Sequence, residues 1–357
     1  MAFTIPTLTA TSRWLRGVVA SAVEGARADL WPNNTVVFVK ALAMAAGQGN
    51  LRAQWIFKQI FVSTADADML DLHGYEIGLG RKPAAAATGL MIFAATDGAT
   101  LPAGAVIDAG GLSFTVRAAA VAAGNSITVP VDALETGPLG NLPPGAEVRL
   151  REPWPGVDQA GETGPLGLSG GVAKELDEPY RRRLIFRKRN KPRGGAKSDY
   201  EGWVGEVAGF TVTGTRAFAA TPEPGTVRVY PLLEGTGAER IPGGADVARC
   251  ADYLETKRPL TATVVVVQPV AKPIPVTLAQ LANDSAETRA EIVAEMLDLF
   301  DERAFVARGG ETFPLSWLSE AASRAVGESR HRLTVPPADV GLLPGEYPVF
   351  GGLTVVA

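Results

Sequence analysis

The chain is 357 residues long, 46% hydrophobic and 20% charged, and its 34 Lys and Arg against 38 Asp and Glu leave a net charge of −4. That composition excludes a disordered or fibrous protein, and the length, at about 150 residues per domain, excludes a single small module. Near-balanced charge supplies no global field for phosphate, and the lone Cys250 with His73 and His331 allows neither an internal disulfide nor a Cys/His zinc centre.

The first 80 residues carry helical periodicity without strand alternation. Thr11 or Ser12 is placed to cap a first helix with Leu15, Val18, Val19 and Val23 on one stripe, and Pro32 separates it from a second over 35–61. Ala41, Ala43, Ala45, Ala46, Gly47 and Gly49 permit close helix approach but weaken the helix, so a kink is expected at 47–50. Beyond it, Leu51, Trp55, Ile56, Ile60 and Phe61 form a bulky stripe, and a third helix over 65–78 stops at Gly78-Leu79-Gly80.

From residue 86 the texture becomes short alternating stretches broken by Gly, Pro and Asn, including turn signals at Gly110-Gly111 and Gly124-Asn125. This reads as a small all-β insert. The Pro- and Gly-rich stretch 152–171 lacks periodicity and reads as an irregular connector. From residue 173 the order is helix, helix, strand, strand, helix, strand, with Pro179 in the first turn of one helix and a capping box Ser198 to Glu201 opening the next. Strands over 210–218 and 226–233, a helix over 244–257 and a strand over 262–267 suggest ferredoxin-like connectivity. An amphipathic helix with Ile292, Val293, Met296, Leu297 and Phe300 on one face follows, with Asp284 and Glu287 as its capping pair, then a helix over 315–326 and an irregular tail. The expected fold is therefore α+β and multidomain: a helical N-terminal arm (1–85), an all-β insert with connector (86–170), a ferredoxin-like α+β middle domain (171–275) and an α+β C-terminal domain (276–357).

Reactive chemistry is sparse. Apolar runs such as 263–267 fall far short of the roughly 20 residues that span a bilayer, and the N-terminus lacks a signal-peptide pattern, so a cytoplasmically made, unprocessed protein is expected. Of the cluster Asp66, Asp68, Asp71 and His73, the three carboxylates spread around a helix instead of converging on a metal; Asp66 and Asp68 suit the start of the third helix, with His73 half-buried near its end. Gly194 to Ser198 fails the phosphate-loop spacing, and the elbow, dinucleotide and zincin motifs do not occur. Nine of the 34 basic residues crowd into 181–197, but Glu175, Asp177 and Glu178 precede them in the order a helix dipole favours, which suits a solvated or partner-facing helix better than a phosphate-binding one. No cofactor is expected, Cys250 reads as a buried hydrophobe, and the chain is not expected to be an enzyme.

Several motifs in succession resemble the baseplate J-like family, the baseplate wedge proteins of Mu-like and P2-like contractile phage tails. The likeness begins at Leu70 to Pro83, continues through Ala87-Thr88-Gly89, Leu101 to Gly104, Gly111 to Phe114, Gly140-Asn141 and Pro144-Gly145, and reaches Gly170-Gly171, Glu175, Asp177, Glu178, Arg181 and Arg183. Gly195, Asp199, Tyr200, Trp203 and the pair Arg258-Pro259 complete it; Ala173, where an acid is common, departs from it. The resemblance implies a structural subunit of the virion, assembled in the bacterial host cytoplasm. It implies homodimers, a second wedge protein bound through the N-terminal helices, and a ring closed around the tail hub that relays baseplate opening to sheath contraction. Trp55, Ile56 and Ile60 are then candidates for the helical bundle, Arg181 and Arg183 for a polar inter-subunit contact, and Leu297, Phe300 and Trp317 for a C-terminal packing or pairing face. The lesser readings are a tail-associated cell-wall hydrolase and a nucleic-acid-binding virion protein.

Overall fold

A computed structural model describes residues 5–25, 33–220 and 223–356. The chain divides into two compact units, Met1–Leu79 and Gly80–Ala357.

The first unit is helical. Helix α1 (Leu8–Ala22) opens on Thr7, whose hydroxyl accepts the Ala10 N–H, so the cap lies earlier than Thr11 or Ser12. Helix α2 (Asn34–Ile60) is capped by the Asn33 side chain and packs alongside α1. It runs unbroken through Gly47 and Gly49, contrary to the expected kink. Each glycine costs about 1 kcal/mol relative to alanine, which the flanking Ala, Gln, Leu and Arg can carry. Pro32 lies outside the described residues. Helix α3 (Ala67–Glu76) starts after Asp66 and gives way to Gly78 in the left-handed region, as the stop signal implied.

The second unit begins with a closed barrel, β1 (Ala86–Ala95), β3 (Val106–Ala109), β4 (Leu112–Val116), β6 (Ser126–Thr136), β7 (Glu147–Leu150) and β8 (Val157–Ser169), ordered β1-β6-β4-β3-β7-β8; a short pair, β2 (Thr100–Leu101) with β5 (Ala120–Val121), lies beside it. Alternation puts Met91, Phe93, Ile107, Phe114, Val129 and Val131 inside. Gly110 and Gly111, both at positive φ between paired Ala109 and Leu112, make the two-residue hairpin turn that only glycine or asparagine enters easily. The stretch expected to be an irregular connector is largely β8, the strand that closes the barrel against β1. Its glycines are what hid it: a Cβ on Gly161 would sit 2.4 Å from the Phe93 ring and 2.5 Å from the Ile92 carbonyl oxygen, so the close strand approach excludes the side chains that would have shown alternation.

After the barrel come α4 (Asp177–Arg189), α5 (Lys197–Glu206), β9 (Phe210–Ala219), β10 (Thr226–Leu233), α6 (Gly244–Lys257) and β11 (Thr263–Val266), in the expected order. The sheet runs β11-β10-β9, with β9 antiparallel and β11 parallel to β10. The α+β class stands, but the ferredoxin-like detail does not: that connectivity separates its parallel strands by another strand, whereas β10 and β11 are hydrogen-bonded neighbours joined through α6. The α5 cap also differs. Ala196 occupies the cap position and the Asp199 carboxylate accepts the N–H groups of Arg193, Gly195 and Ala196, in place of the Ser198 to Glu201 box.

The remainder is β12 (Val270–Ala279), α7 (Ala286–Arg303), β13 (Glu311–Phe313), α8 (Leu315–Arg324), β14 (Arg332–Val335), β15 (Val340–Leu342) and β16 (Glu346–Val356), with β14-β12-β16 in one sheet and β13-β15 in another. The expected division at 275 falls inside β12, and the tail read as irregular holds β14, β15 and the long β16, which pairs in parallel with β12. Gly351 interrupts the alternation of β16 because a Cβ there would lie 2.8 Å from the Ile274 carbonyl carbon at a register shift. Ser285, not the Asp284 and Glu287 pair, caps α7 through the Thr288 N–H, and Asp284 instead pairs with Arg289. Ile292, Met296, Leu299 and Phe300 pack with Phe313, Leu318, Ile274, Tyr347 and the β10 residues Tyr230 and Leu232 in one core.

Candidate functional site

Three places hold the residues singled out from the sequence. The first is the outer surface of α2. A helix of 27 residues spans about 40 Å, yet only Val36, Val39, Ala43 and Gln59 of it are buried. Trp55, Ile56 and Ile60 remain 46%, 50% and 58% exposed, together with Phe38, Leu42, Leu51, Phe57 and the following Phe61. A helix apolar on most of its circumference gains about 1.5–3 kcal/mol for each large side chain that a partner covers. Trp55 also has a local role: its indole Nε1 donates to Asp66 Oδ2 at 2.7 Å, and Gln59 exchanges two further hydrogen bonds with Asp66. His73 Nε2 lies 2.9 Å from the Gln59 carbonyl oxygen. Asp66 thus fastens α3 to α2, while Asp68 occupies the first turn of α3.

The second place is a buried ion cluster at the start of α4. Glu175, with its side chain 2% exposed, takes two hydrogen bonds from Arg183, at 2.8 Å to Oε1 and 2.6 Å to Oε2, and a third from the Lys82 backbone N–H at 2.9 Å. Arg183 also donates to the Gly80 carbonyl oxygen at 2.7 Å. The Lys82 ammonium reaches the carbonyl oxygens of Gly205, Val207 and Phe210 at 3.1, 3.2 and 2.7 Å, closing the C-terminal end of α5 from a segment more than 120 positions away. Burial pulls the Lys82 pKa down to about 8 against the opposing pull of Glu175. Arg81 pairs with Asp177 at 2.7 Å and lies over the Tyr180 ring. The structure therefore corrects the expectation for Arg183: it is an internal tie, enclosed before any neighbour could reach it. Arg181 is mostly covered, its side chain 15% exposed, and pairs with the exposed Glu178 at 3.0 Å.

Beside this cluster a cleft of roughly 630 Å³ opens between the barrel and α4 and α6, lined by Lys82, Asn141, Gly170, Gly171, Glu175 and Arg249, among others. Asn141 holds Gly171 from both sides, donating to its carbonyl oxygen at 2.9 Å and accepting its N–H at 2.8 Å. A Cβ on Gly171 would lie 2.3 Å from the Gly137 carbonyl oxygen, so the glycine pair is there for close backbone approach.

The third place is the α7–α8 region. Leu297 is 40% exposed, but Phe300 is 1% exposed and stacks on Phe313 at 4.8 Å, so Phe300 belongs to the core and to no docking face. Trp317 packs edge-on against Phe313 under the Arg303 guanidinium. The three do not share one surface, which the helical wheel alone could not reveal.

Lys82 and Asn141 act in the structure without having been singled out as functional residues. Their partners lie tens of residues away or farther, so spacing carries no signal. Among the described residues, no group of three His, Cys, Asp or Glu converges as a metal cage, and no helix is long and apolar enough to cross a membrane. Cys250 is buried in α6, and desolvation pushes its thiol up to about 12.

Comparison with known proteins matches residues 90–168 to the baseplate J-like barrel domain and residues 192–268 to the baseplate J-like central domain. "Mu-like prophage FluMu protein gp47" of Haemophilus influenzae is 28% identical over 87% of this chain and 88% of its own length. The JayE protein of Escherichia coli is 29% identical over 72% and 96%. "Baseplate protein gp47" of Escherichia phage Mu is 30% identical over 77% and 78%. The solved baseplate of the anti-feeding prophage aligns with 97% of this chain and 90% of that one at 12% identity and a TM-score of 0.40, too distant a likeness to bear on the assignment. The two matched domains coincide with the barrel and with the α5 to β11 segment, and with the Mu relative they establish that the chain belongs to the baseplate J-like family.

Proposed function

We propose that this baseplate protein of a phage or tailocin-like particle is a wedge subunit. It pairs with a second copy, binds a different wedge protein through its N-terminal helices, and joins a ring around the tail hub that relays baseplate opening to sheath contraction. The observation carrying the reading is the similarity to the Mu baseplate protein over most of both chains. The apolar circumference of α2 supports the partner contact, because a helix with Phe38, Ile56 and Ile60 in water has most to gain from an apolar partner helix. Bistable interfaces, not bond-making chemistry, would carry the work.

The test is to count this chain in purified tail particles by quantitative mass spectrometry against sheath and hub proteins. Six copies, or a multiple of six, support a ring of wedges; a substoichiometric or variable amount refutes it. Ile56→Asp with Ile60→Asp should leave the second unit folded and abolish incorporation, since a charge at either site meets the partner's apolar surface unpaired.

A further inference from the structure

The last turn of α4 and the loop to α5 carry Arg187, Lys188, Arg189, Lys191, Arg193 and Lys197, six of the chain's 34 basic residues within eleven positions. None of their side chains makes an ion pair among the described residues, in contrast to Arg181, Arg182 and Arg183 one turn earlier, each of which does. All but the half-buried Arg187 are exposed. The local acids are engaged elsewhere: Asp199 is buried on backbone N–H groups, and Glu201 is partly buried, with its carboxyl pushed up by desolvation although Arg216 and Lys197 pull it down. The patch is therefore uncompensated positive charge on a chain whose net charge is −4, which leaves acids in excess over the rest of the surface.

Part of that excess lies along one helix face. On α7, Glu291, Asp298 and Glu302 fall on one exposed stripe at i, i+7 and i+11, and none makes an ion pair among the described residues, whereas the neighbouring Glu295 is satisfied by Arg324. Ala294 and the 40%-exposed Leu297 lie on and beside the stripe, so it is an acidic edge around an apolar spot. Among the basic residues, Pro192 between Lys191 and Arg193 is an exposed apolar residue of the loop.

We infer that the basic α4–α5 loop of one copy docks on the acidic outer stripe of α7 of a second copy. The two patches are different surfaces of the same chain, so the contact is heterologous, and such a contact adds copies beyond a pair, forming a ring where its rotation closes. The inference rests on the baseplate reading and adds a specific inter-copy surface to it. Complementary rim charges contribute chiefly to encounter rate and register, and they are screened by salt, which suits an interface that is remade when an assembly changes state.

The purified full chain is tested by analytical ultracentrifugation at about 0.05 M and about 0.5 M salt. The loop variant is K191E/R193E/K197E, outside the α4 helix, and the stripe variant is E291K/D298K/E302K, two of whose three cations fall in the C-terminal half of α7. Wild-type chain should self-associate at low salt and dissociate at high salt. Each variant alone should associate about tenfold more weakly or less, and an equimolar mixture of the two should recover wild-type association, because each then offers the other an opposite charge. Recovery excludes misfolding as the cause of the single losses. The contact is overturned if the mixture stays monomeric, or if wild-type association ignores salt. It is also overturned if the loop variant associates normally but loses salt-sensitive binding to a mixed-sequence DNA duplex. Incorporation of both variants into tails at wild-type copy number would overturn the contact while leaving the baseplate reading standing; absence of the wild-type chain from tails would remove both.

Discussion

Replacing Arg183 by Met removes three hydrogen bonds at once, two to the Glu175 carboxylate and one to the Gly80 carbonyl oxygen. The volume is nearly kept, so the loss is electrostatic. A carboxylate 2% exposed keeps only the Lys82 backbone N–H at 2.9 Å and the Lys82 ammonium at 3.9 Å. Breaking one side of a buried ion pair costs about 3–5 kcal/mol, so Arg183→Met should lose about 4 kcal/mol of local stability, and Glu175→Met a similar amount. The double variant, which buries no unpaired charge, should lose no more than about 4 kcal/mol where additivity would require about 8. Because the chain has two compact units, global unfolding is a poor probe, and native-state hydrogen exchange read by mass spectrometry is the better assay. Amides of residues 80–85 and 175–184 should exchange about a thousandfold faster in Arg183→Met, with α2 amides as the unaffected internal control. Exchange within about tenfold of wild type, or fully additive losses in the double variant, would refute the view that this cluster ties the segment before the barrel to α4 and α5.

Gly161→Ala should destabilise the barrel by about 2 kcal/mol, seen as faster exchange of β8 amides, because its Cβ collides with Phe93 and the Ile92 carbonyl; Gly164→Ala, whose nearest atom would be 3.2 Å away, should cost about half as much or less. Phe300→Ala should lose about 3–5 kcal/mol, seen as faster hydrogen exchange of α7 amides, whereas Leu297→Ser should stay within about 0.5 kcal/mol and weaken only association between copies. Cys250, buried and with its thiol pushed up to about 12, should resist iodoacetamide at pH 8 in the native chain and label at once in denaturant; labelling in the native state would show that α6 opens.

Element type was legible wherever one face of a segment meets core and the other water. The strands β9 and β10, the helices α6, α7 and α8, and the turn at Gly110 and Gly111 follow from periodicity and turn chemistry alone. Periodicity failed where backbones approach too closely for side chains. Both β8 and β16 are punctuated by glycines that a neighbouring strand requires, and a stretch without side chains shows no alternation. The family likeness was readable from ordered motifs, and the structure supplies their physical content: Gly170-Gly171 for close approach, Asn141 to hold Gly171, Glu175 with Arg183 as a buried pair.

What the sequence determined by itself is the local part: which segments are helix or strand, where the turns fall, that reactive clusters are scarce, and which family the order of motifs resembles. Only the tertiary structure decided which charges are internal and which are free. Arg181, Arg183 and Lys191 look alike in the sequence, yet one is partly buried and paired with the exposed Glu178, one is enclosed with Glu175, and one stands exposed in an uncompensated patch. The reason is that desolvation and pairing depend on groups brought within a few ångströms from distant positions, as Lys82 is brought to Phe210, and no local pattern encodes those distances.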